Sequence, residues 1–274
     1  MTGDLATGDG IDAAVDGAEI IVHCAGSNKG DEEKARRLVR AAAGSQHLVY
    51  ISVVGADRIP VRSRVDRAMF GYFASKLAAE EIIAESGNPS TTLRSTQFHD
   101  FMWMTAEQMA RMPVMPIPSG FRFQPVDAGE VADRLVALAM RAPAGRVADI
   151  AGPQVFDMPT LVRGYLRAAG KHRLIVPIRL PGKAAAAYRQ GANLAPDRAV
   201  GRRSWEEFLA DRADGSGTAT AAESSGQVGS GRKGHGRAAG TGTAHDRLAR
   251  DGRPTPLDRR LRGLTGRKAE QEDS

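Results

Sequence analysis

Apolar runs of strand length alternate along the chain with segments whose apolar positions recur at helical spacing. One run covers residues 20–25 and ends at Gly26, and a second covers residues 47–54 without strict alternation of polar and apolar side chains. Strands that are buried on both faces of a parallel sheet have this character. Between the two runs, residues 31–44 place apolar side chains at helical intervals, which predicts a helix. The pattern therefore predicts strands joined by helices.

Short polar residues mark where several of these helices begin. Their side chains accept hydrogen bonds from the free backbone N–H groups of a first helical turn. Residues of this kind precede predicted helices at Asp31, Asp127, Asp157 and Ser204. Glu130 and Glu207 each follow such a residue by three positions, which is the spacing of a capping box.

The rest of the chain continues the alternation of helix and strand. A helix is predicted over about residues 72–86, and strands are predicted over residues 91–94, 147–150 and 174–178. Crossovers between parallel strands are right-handed and place helices on both faces of the sheet. We therefore expect an α/β fold built on a doubly wound, Rossmann-type parallel sheet.

Ligands of such a sheet bind at the carboxyl ends of its strands. In this chain the rule selects Ala25 and Gly26, Ser52 with its neighbours, and residues 95–98. The aromatic and Met-rich stretch that follows has two interpretations. It is either the wall of an apolar substrate pocket or a flap that packs on the body of the protein.

The composition changes at residue 214. Residues 214–274 are rich in Gly, Ser, Ala, Thr and Arg, and few of their side chains are aromatic or β-branched. Such a segment buries too little apolar surface to offset the entropy of ordering its backbone, so we expect a disordered tail. A basic interaction tail and a translation-frame artefact are the alternatives. The tail holds eleven Lys and Arg and eight Asp and Glu residues, so half of the formal net charge of +6 lies there. Residues 1–213 are then weakly basic and give no argument for a nucleic-acid partner.

The cysteine and histidine content indicates the cellular compartment and whether a metal is bound. The single cysteine, Cys24, excludes an intrachain disulfide and fits a reducing compartment, so we expect a cytoplasmic protein. No apolar run approaches the roughly eighteen residues that span a bilayer, and we expect no membrane partner. The six His residues and one Cys have no metal-ligand spacing, so we also expect no metal.

Three residues could carry acid–base chemistry. Tyr72 and Lys76 are one helical turn apart and share a face of the predicted helix. A Lys ammonium beside a Tyr hydroxyl lowers the Tyr pKa, and such a Tyr can give a proton to a carbonyl as hydride arrives. Ser52, at the end of the preceding strand, could hydrogen-bond the same carbonyl. An exposed Tyr–Lys pair that does nothing is the alternative, but the order of strand, Ser, helix, Tyr and Lys favours a site.

Several segments together resemble the atypical short-chain dehydrogenases/reductases, the NmrA-like and related NAD(P)H-binding groups. His23-Cys24-Ala25-Gly26 is similar to a strand end beside the adenosine half of the cofactor in that family. The other similar segments, in chain order, are residues 3–5, 49–57, 72–80 and 124–127.

This resemblance implies an NAD(P)-dependent oxidoreductase that moves hydride between nicotinamide and a small carbonyl or related apolar substrate. It implies that Tyr72 is the acid, that Lys76 lowers its pKa and holds the cofactor ribose, and that Ser52 orients the substrate. NADP or NAD would be the cofactor. The residues implied to contact it are Asp4, Leu5, Ala25, Gly26, Ser52, Lys76 and Phe98.

The resemblance covers about residues 3–209 and departs from the family at its beginning. The family's first strand, Gly-rich turn and helix have no counterpart here. We therefore expect an N-terminal truncation of roughly fifty to sixty residues, somewhat less than two βαβ units. Residues 1–213 would form a partial NAD(P)-binding domain. Its substrate-side segments, about residues 98–124 and 152–209, would form a small C-terminal subdomain.

Two other functions remain open at this point. The first is a non-catalytic NAD(P)H-binding sensor, regulator or complex-assembly protein, like NmrA-like regulators or the accessory subunit of mitochondrial complex I. The second is an inactive truncated fragment. In each case the expected partners are a small molecule and, in a homo-oligomer, further copies of the chain.

Overall fold

The computed structural model describes residues 2–26, 30–42 and 46–223, and strands and helices alternate along them. The strands are β1 (Ile20–His23), β2 (His47–Val53), β3 (Ser90–Ser95), β4 (Val114–Pro118), β5 (Arg122–Phe123), β6 (Gly145–Arg146), β7 (Phe156–Asp157) and β8 (Leu174–Ile178). The helices are α1 (Ile11–Val15), α2 (Asp31–Ala41), α3 (Arg64–Glu85), α4 (His99–Met109), α5 (Ala128–Ala139), α6 (Met158–Ala168), α7 (Lys183–Arg189) and α8 (Trp205–Glu223).

A parallel sheet in the order β1-β2-β3-β6 forms the centre of the fold, as the sequence predicts. Its register pairs His23 of β1 with Tyr50 of β2, and Ser52 of β2 with Arg94 of β3. Strand β2 is buried along its whole length, which explains its unbroken apolar character. Because the strands are parallel, their carboxyl ends lie along one edge of the sheet.

Helices cover both faces of this sheet. On one face, Tyr50 packs with Ala35 of α2 and with Ala79 of α3. On the other face, Val49 and Ile51 pack against α5. Successive side chains of a strand point to opposite faces, so Ser52 lies on the α3 side together with Tyr50. The doubly wound fold class is therefore confirmed.

The remaining elements build a second layer beside α3. Strands β4 and β8 form a separate parallel pair, and β5 and β7 form a short antiparallel pair. Helices α4, α6, α7 and α8 pack around them in one apolar cluster that also includes Phe70 and Phe73 of α3. The predicted strand at residues 174–178 exists, but it belongs to this layer and not to the central sheet.

Two predicted element boundaries are wrong. Helix α3 begins at Arg64, well before the predicted residue 72, because Ser63 and Asp66 form a capping box. The strand predicted over residues 147–150 is displaced, since β6 is Gly145–Arg146 and only Ile150 bridges to β3 beyond it.

The predicted helix caps have mixed outcomes. Asp157 accepts a hydrogen bond from the backbone of Thr160, and Ser204 and Glu207 cap each other's backbone, as predicted. Asp127 also caps α5, but the side chain of Glu130 binds the backbone N–H groups of Arg202 and Arg203.

The prediction that Asp31 is an N-cap is wrong. Gly30, in the left-handed conformation with φ of 79°, occupies the cap position, and Asp31 is the first residue of α2. Its carboxylate is fully buried and lies 3.2 Å from the ammonium of Lys76.

The C-terminal segment is only partly described. The backbone of α8 extends to Glu223, so the first ten residues of the predicted disordered tail are helical. The rest of that prediction, residues 224–274, lies outside the described residues. No helix within the described ranges is long and apolar enough to cross a membrane.

Candidate active site

The side chain of Lys76 connects α3 with the ends of two strands. Its ammonium Nζ donates a hydrogen bond to the backbone carbonyl of Ile51 at 3.4 Å. It lies 4.9 Å from the ring centroid of Tyr50 and 5.7 Å from that of Tyr72. Lys76 is almost fully buried, and Tyr72 is partly buried. The two predicted helix residues therefore meet at β2.

Ser52 follows Ile51 on the same strand. It is 3 % exposed, and its hydroxyl Oγ has no hydrogen-bond partner among the described residues. A buried hydroxyl without a partner costs stability, so in native proteins it needs a reason. Its position on the α3 face, next to the carbonyl that Lys76 binds, brings it to the same part of the sheet as Tyr72 and Lys76.

The end of β1 lies against the Lys76 ammonium. A Cβ atom added to Gly26 would lie 2.7 Å from Lys76 Nζ and 3.4 Å from Asp31 Oδ2. Glycine at this position lets the backbone pass close to the ion pair without displacing the Lys76 ammonium. Ala25, one residue earlier, is exposed at this rim.

Asp31 completes the group, and sequence reasoning missed this role. Its Oδ2 lies 3.2 Å from Lys76 Nζ, and its Oδ1 lies 3.8 Å from Lys34 Nζ. The side chains of Asp31 and Lys76 are 0 % and 4 % exposed, so the pair is buried. The sequence shows an acidic residue, Asp31, at the start of α2. Its local surroundings predict an N-cap and give no sign of an ion pair with the distant Lys76.

The electrostatics of Tyr72 differ from the expectation. Burial raises the pKa of Tyr72, the Lys76 ammonium lowers it, and the Asp31 carboxylate raises it; the net direction is upward. The predicted effect of Lys76 is present, but burial outweighs it. Burial acts to lower the pKa of Lys76, yet Tyr72, Tyr50 and Asp31 together raise it. At neutral pH the site therefore holds a phenol and an ammonium.

The pKa values of two buried histidines are lowered, whereas those of Tyr72 and Lys76 are raised. His23 ends β1 and stacks on Tyr50 with 5.2 Å between ring centroids. Burial, followed by the charge of Lys76, lowers the pKa of His23 to about 4. Burial likewise lowers the pKa of His99 on α4 to about 4. The folded protein therefore keeps both rings neutral over a range in which the unfolded chain binds protons.

This predicts a loss of stability in mild acid. The folded-state pKa lies below the unfolded value, so the contribution is complete above about pH 6.5 and declines as pH falls towards about pH 4. Each histidine adds up to about 1.4 kcal/mol per pH unit to the slope. Urea unfolding across this window measures how steeply the free energy of unfolding depends on pH. This pH dependence should be weaker in His99→Phe, and it should equal that of the wild-type protein in His172→Gln, a change at an exposed site. An unchanged slope in His99→Phe would contradict the assignment.

The other predicted cofactor residues lie in different surroundings. Asp4 and Leu5 are in a turn-rich segment and not at the end of a strand. Arg37 of α2 donates to the Leu5 carbonyl at 2.9 Å, and Leu5 packs against the cluster around Ile11. Phe98 follows β3 and packs on the α5 side of the sheet. Their contact with a cofactor stays a prediction.

A family model decides the relationship of this chain to known proteins. Residues 1–139 match the model whose description is NAD(P)H-binding. The chain belongs to this NAD(P)H-binding family. No curated protein matches the chain.

Solved structures agree with this NAD(P)H-binding fold. The chain is similar to an NADPH-dependent quinone oxidoreductase from Escherichia coli, with 16% identity, a TM-score of 0.61, and coverage of 77% of this chain and 82% of that one. It is also similar to a nucleoside-diphosphate-sugar epimerase from Staphylococcus aureus, with 16% identity, a TM-score of 0.56, and coverage of 76% and 81%. A triphenylmethane reductase from Citrobacter sp. gives 15% identity, a TM-score of 0.56, and coverage of 77% and 82%. At these identities the likeness concerns the fold.

The residues present fit a family cofactor of the NAD(P)H kind. Gly26 lets the Lys76 ammonium approach the backbone at the end of β1, and Lys76 carries hydrogen-bond donors to the same edge. The unpartnered Ser52 hydroxyl supplies a further polar group there. Gly26, Lys76 and Ser52 are thus the described residues that would hold the cofactor at this edge.

One surface hollow lies away from this group. It is an open groove of about 710 Å³ where α6 leads into β8, and its lining includes Arg163, Arg167 and Lys171. The convergence of Gly26, Ser52, Tyr72 and Lys76 at the carboxyl edge of the sheet is a better guide to chemistry than the size of a groove, because ligands of parallel sheets bind at that edge.

Proposed function

We propose that the protein is an NAD(P)-dependent oxidoreductase that acts on a small carbonyl, quinone or related apolar substrate. The observation that carries the proposal is that Lys76 lies beside Tyr72 and binds the carbonyl of Ile51, the residue before Ser52, at the carboxyl edge of the sheet. Membership of the NAD(P)H-binding family supports the cofactor, and the likeness to the Escherichia coli quinone oxidoreductase supports the substrate class.

The chemistry follows from the state of each group. The reduced cofactor, when bound, supplies the hydride. Tyr72 is a phenol at neutral pH and gives its proton to the substrate oxygen as the carbonyl carbon gains hydride, and solvent then restores the proton. Lys76, charged and fixed by Ile51 and Asp31, binds the ribose and stabilises the phenolate that forms. Ser52 donates to the same substrate oxygen.

The alternative of a non-catalytic NAD(P)H sensor predicts a Tyr72 that faces solvent. Tyr72 is partly buried and its ring lies 5.7 Å from the Lys76 ammonium. This arrangement supports turnover over sensing.

Cofactor binding tests the proposal directly. We expect NADPH or NADH to raise the thermal unfolding temperature of the full chain and to be oxidised when a quinone or small aldehyde is added. Lys76→Met removes a charge-assisted hydrogen bond of about 1.5–3 kcal/mol, so the dissociation constant should rise roughly tenfold to a hundredfold. Calorimetry or cofactor fluorescence measures it.

Lys183→Met is the matched control, because Lys183 is exposed on α7. Its dissociation constant should equal that of the wild-type protein. Failure of both NADPH and NADH to bind the wild-type chain, or equal binding by Lys76→Met, would contradict the proposal.

A further inference from the structure

The carboxylate of Asp31 is held in place by its own helix and by α3. The backbone N–H of Asp31 donates to Ser75 Oγ at 3.3 Å, and Ser75 Oγ donates to Glu32 Oε2 at 2.8 Å. These two bonds fix the first turn of α2 against α3. Because Asp31 is fully buried, its side chain cannot turn outward to solvent without moving the helix.

The ion pair has specific surroundings. The titratable and charged groups around the Lys76 ammonium are Asp31 and Lys34 on α2, His23 on β1, Tyr50 on β2 and Tyr72 on α3. Asp31 is the carboxylate among them that pairs directly with Lys76. It therefore balances the ammonium charge at the point where Tyr72 would react.

We propose that Asp31 is a positioning residue for the reaction, which holds the Lys76 ammonium at the ends of β1 and β2 and offsets its charge beside Tyr72. The inference rests on the proposed function, since it concerns the same Tyr and Lys. Asp31 touches neither substrate nor the reacting atoms and acts through Lys76. Its charge adds to the effect of burial and opposes that of Lys76, and so helps to keep Tyr72 a phenol, the form that a proton donor needs.

The test follows the ionisation of Tyr72 without relying on turnover. The full chain is labelled with 13C at the tyrosine Cζ, its four tyrosine signals are followed by NMR against pH, and Tyr72→Phe assigns the signal. Asp31→Asn leaves Lys76 unopposed, so Tyr72 should ionise at lower pH than in the wild-type protein. The loss of kcat at alkaline pH should move in the same direction, and KM for the substrate should change less than kcat.

Glu33→Gln is the matched control. Glu33 lies in the same turn of α2 and loses the same charge, but its side chain is 44 % exposed and pairs with Arg36 and Arg37. It should leave both the Tyr72 signal and the kcat profile unchanged. Asp31→Glu, which keeps the charge, should restore most of the wild-type profile. A purely structural role for Asp31 would lower stability without moving either profile.

A second comparison covers the case in which Asp31→Asn does not fold, because it leaves a buried ammonium without its partner. Lys76→Gln alone keeps the carboxylate, and Lys76→Gln with Asp31→Asn removes both charges together. Tyr72 should ionise at lower pH in the double variant than in Lys76→Gln. An identical Tyr72 titration within each pair overturns the inference. A wild-type chain that binds neither NADPH nor NADH overturns the proposed function instead, and the Tyr72 titration still decides the role of Asp31.

Discussion

Tyr72→Phe is expected to lower kcat roughly 10²–10⁴-fold, the usual contribution of a positioned general acid. The phenyl ring keeps its packing against Phe73, so the fold should remain intact. The dissociation constant for NADPH should stay close to the wild-type value, since the Lys76 ammonium is untouched. Steady-state oxidation of NADPH with a quinone or small aldehyde measures kcat, and cofactor fluorescence measures binding.

The control for this variant is Tyr165→Phe. Tyr165 is buried on α6, and its hydroxyl accepts a hydrogen bond from Lys171. This change also removes a tyrosine hydroxyl, but on α6 and not on the helix that carries the candidate site, so kcat should not fall. An equal kcat in Tyr72→Phe and the wild-type protein would remove Tyr72 from the mechanism and favour a cofactor-binding protein without turnover.

The sequence predicted the parts of this site that depend on local periodicity. Tyr72 and Lys76 are one turn apart on a helix, and this spacing alone brings them to one face. Ser52 lies near the end of an apolar run, and the carboxyl edge of a parallel sheet follows from the alternation of strands and helices. These rules hold whatever the tertiary contacts are.

Asp31 could not be predicted in the same way. A short acidic side chain before a helix signals a cap, and the local sequence contains nothing that distinguishes a cap from a buried counter-ion. The partner, Lys76, lies on another helix, distant in sequence, that packs against α2 in the folded protein. The sequence could not predict the upward shift of the Tyr72 pKa for the same reason. Burial of Tyr72 and its closeness to the Asp31 charge both result from tertiary packing.

Other misses have different causes. Ser63 and Asp66 form a capping box that the sequence shows but that the prediction did not use, so α3 was predicted too short.

Strand β4 contains Pro116 and Pro118, residues that argue against a strand. It exists because it belongs to a two-stranded sheet, where the unpaired side of a strand tolerates proline.

A buried ion network anchors the helix that carries the candidate site. Arg94 on β3 is 3 % exposed and donates three hydrogen bonds to Glu80, from Nε to Oε1 at 2.9 Å and to Oε2 at 3.2 Å, and from NH2 to Oε2 at 2.7 Å. Its NH1 lies 2.7 Å from Asp57 Oδ1. Glu80 is one turn beyond Lys76, and Arg94 is paired in the sheet with Ser52. The network therefore sets the position of α3 against the strands that present the site.

Glu80→Ala should lower the free energy of unfolding by roughly 3 kcal/mol, because it leaves a buried guanidinium without its main partner. We expect the lower end of the usual range, since Asp57 still faces Arg94. Glu81→Ala, at the exposed neighbouring position, should change stability by no more than about 0.5 kcal/mol. Urea unfolding of both variants measures the difference, and equal effects would contradict a structural role for the pair.

A double-mutant cycle separates the cost of an unpaired charge from the value of the pair. Arg94→Met with Glu80→Met removes both charges, and burial of two apolar side chains should return much of the stability that Glu80→Ala loses. If the pair serves to place α3, this stable double variant should still bind NADPH more weakly than the wild-type protein, because Lys76 depends on the position of the helix. Wild-type binding by the stable double variant would limit the network to stability.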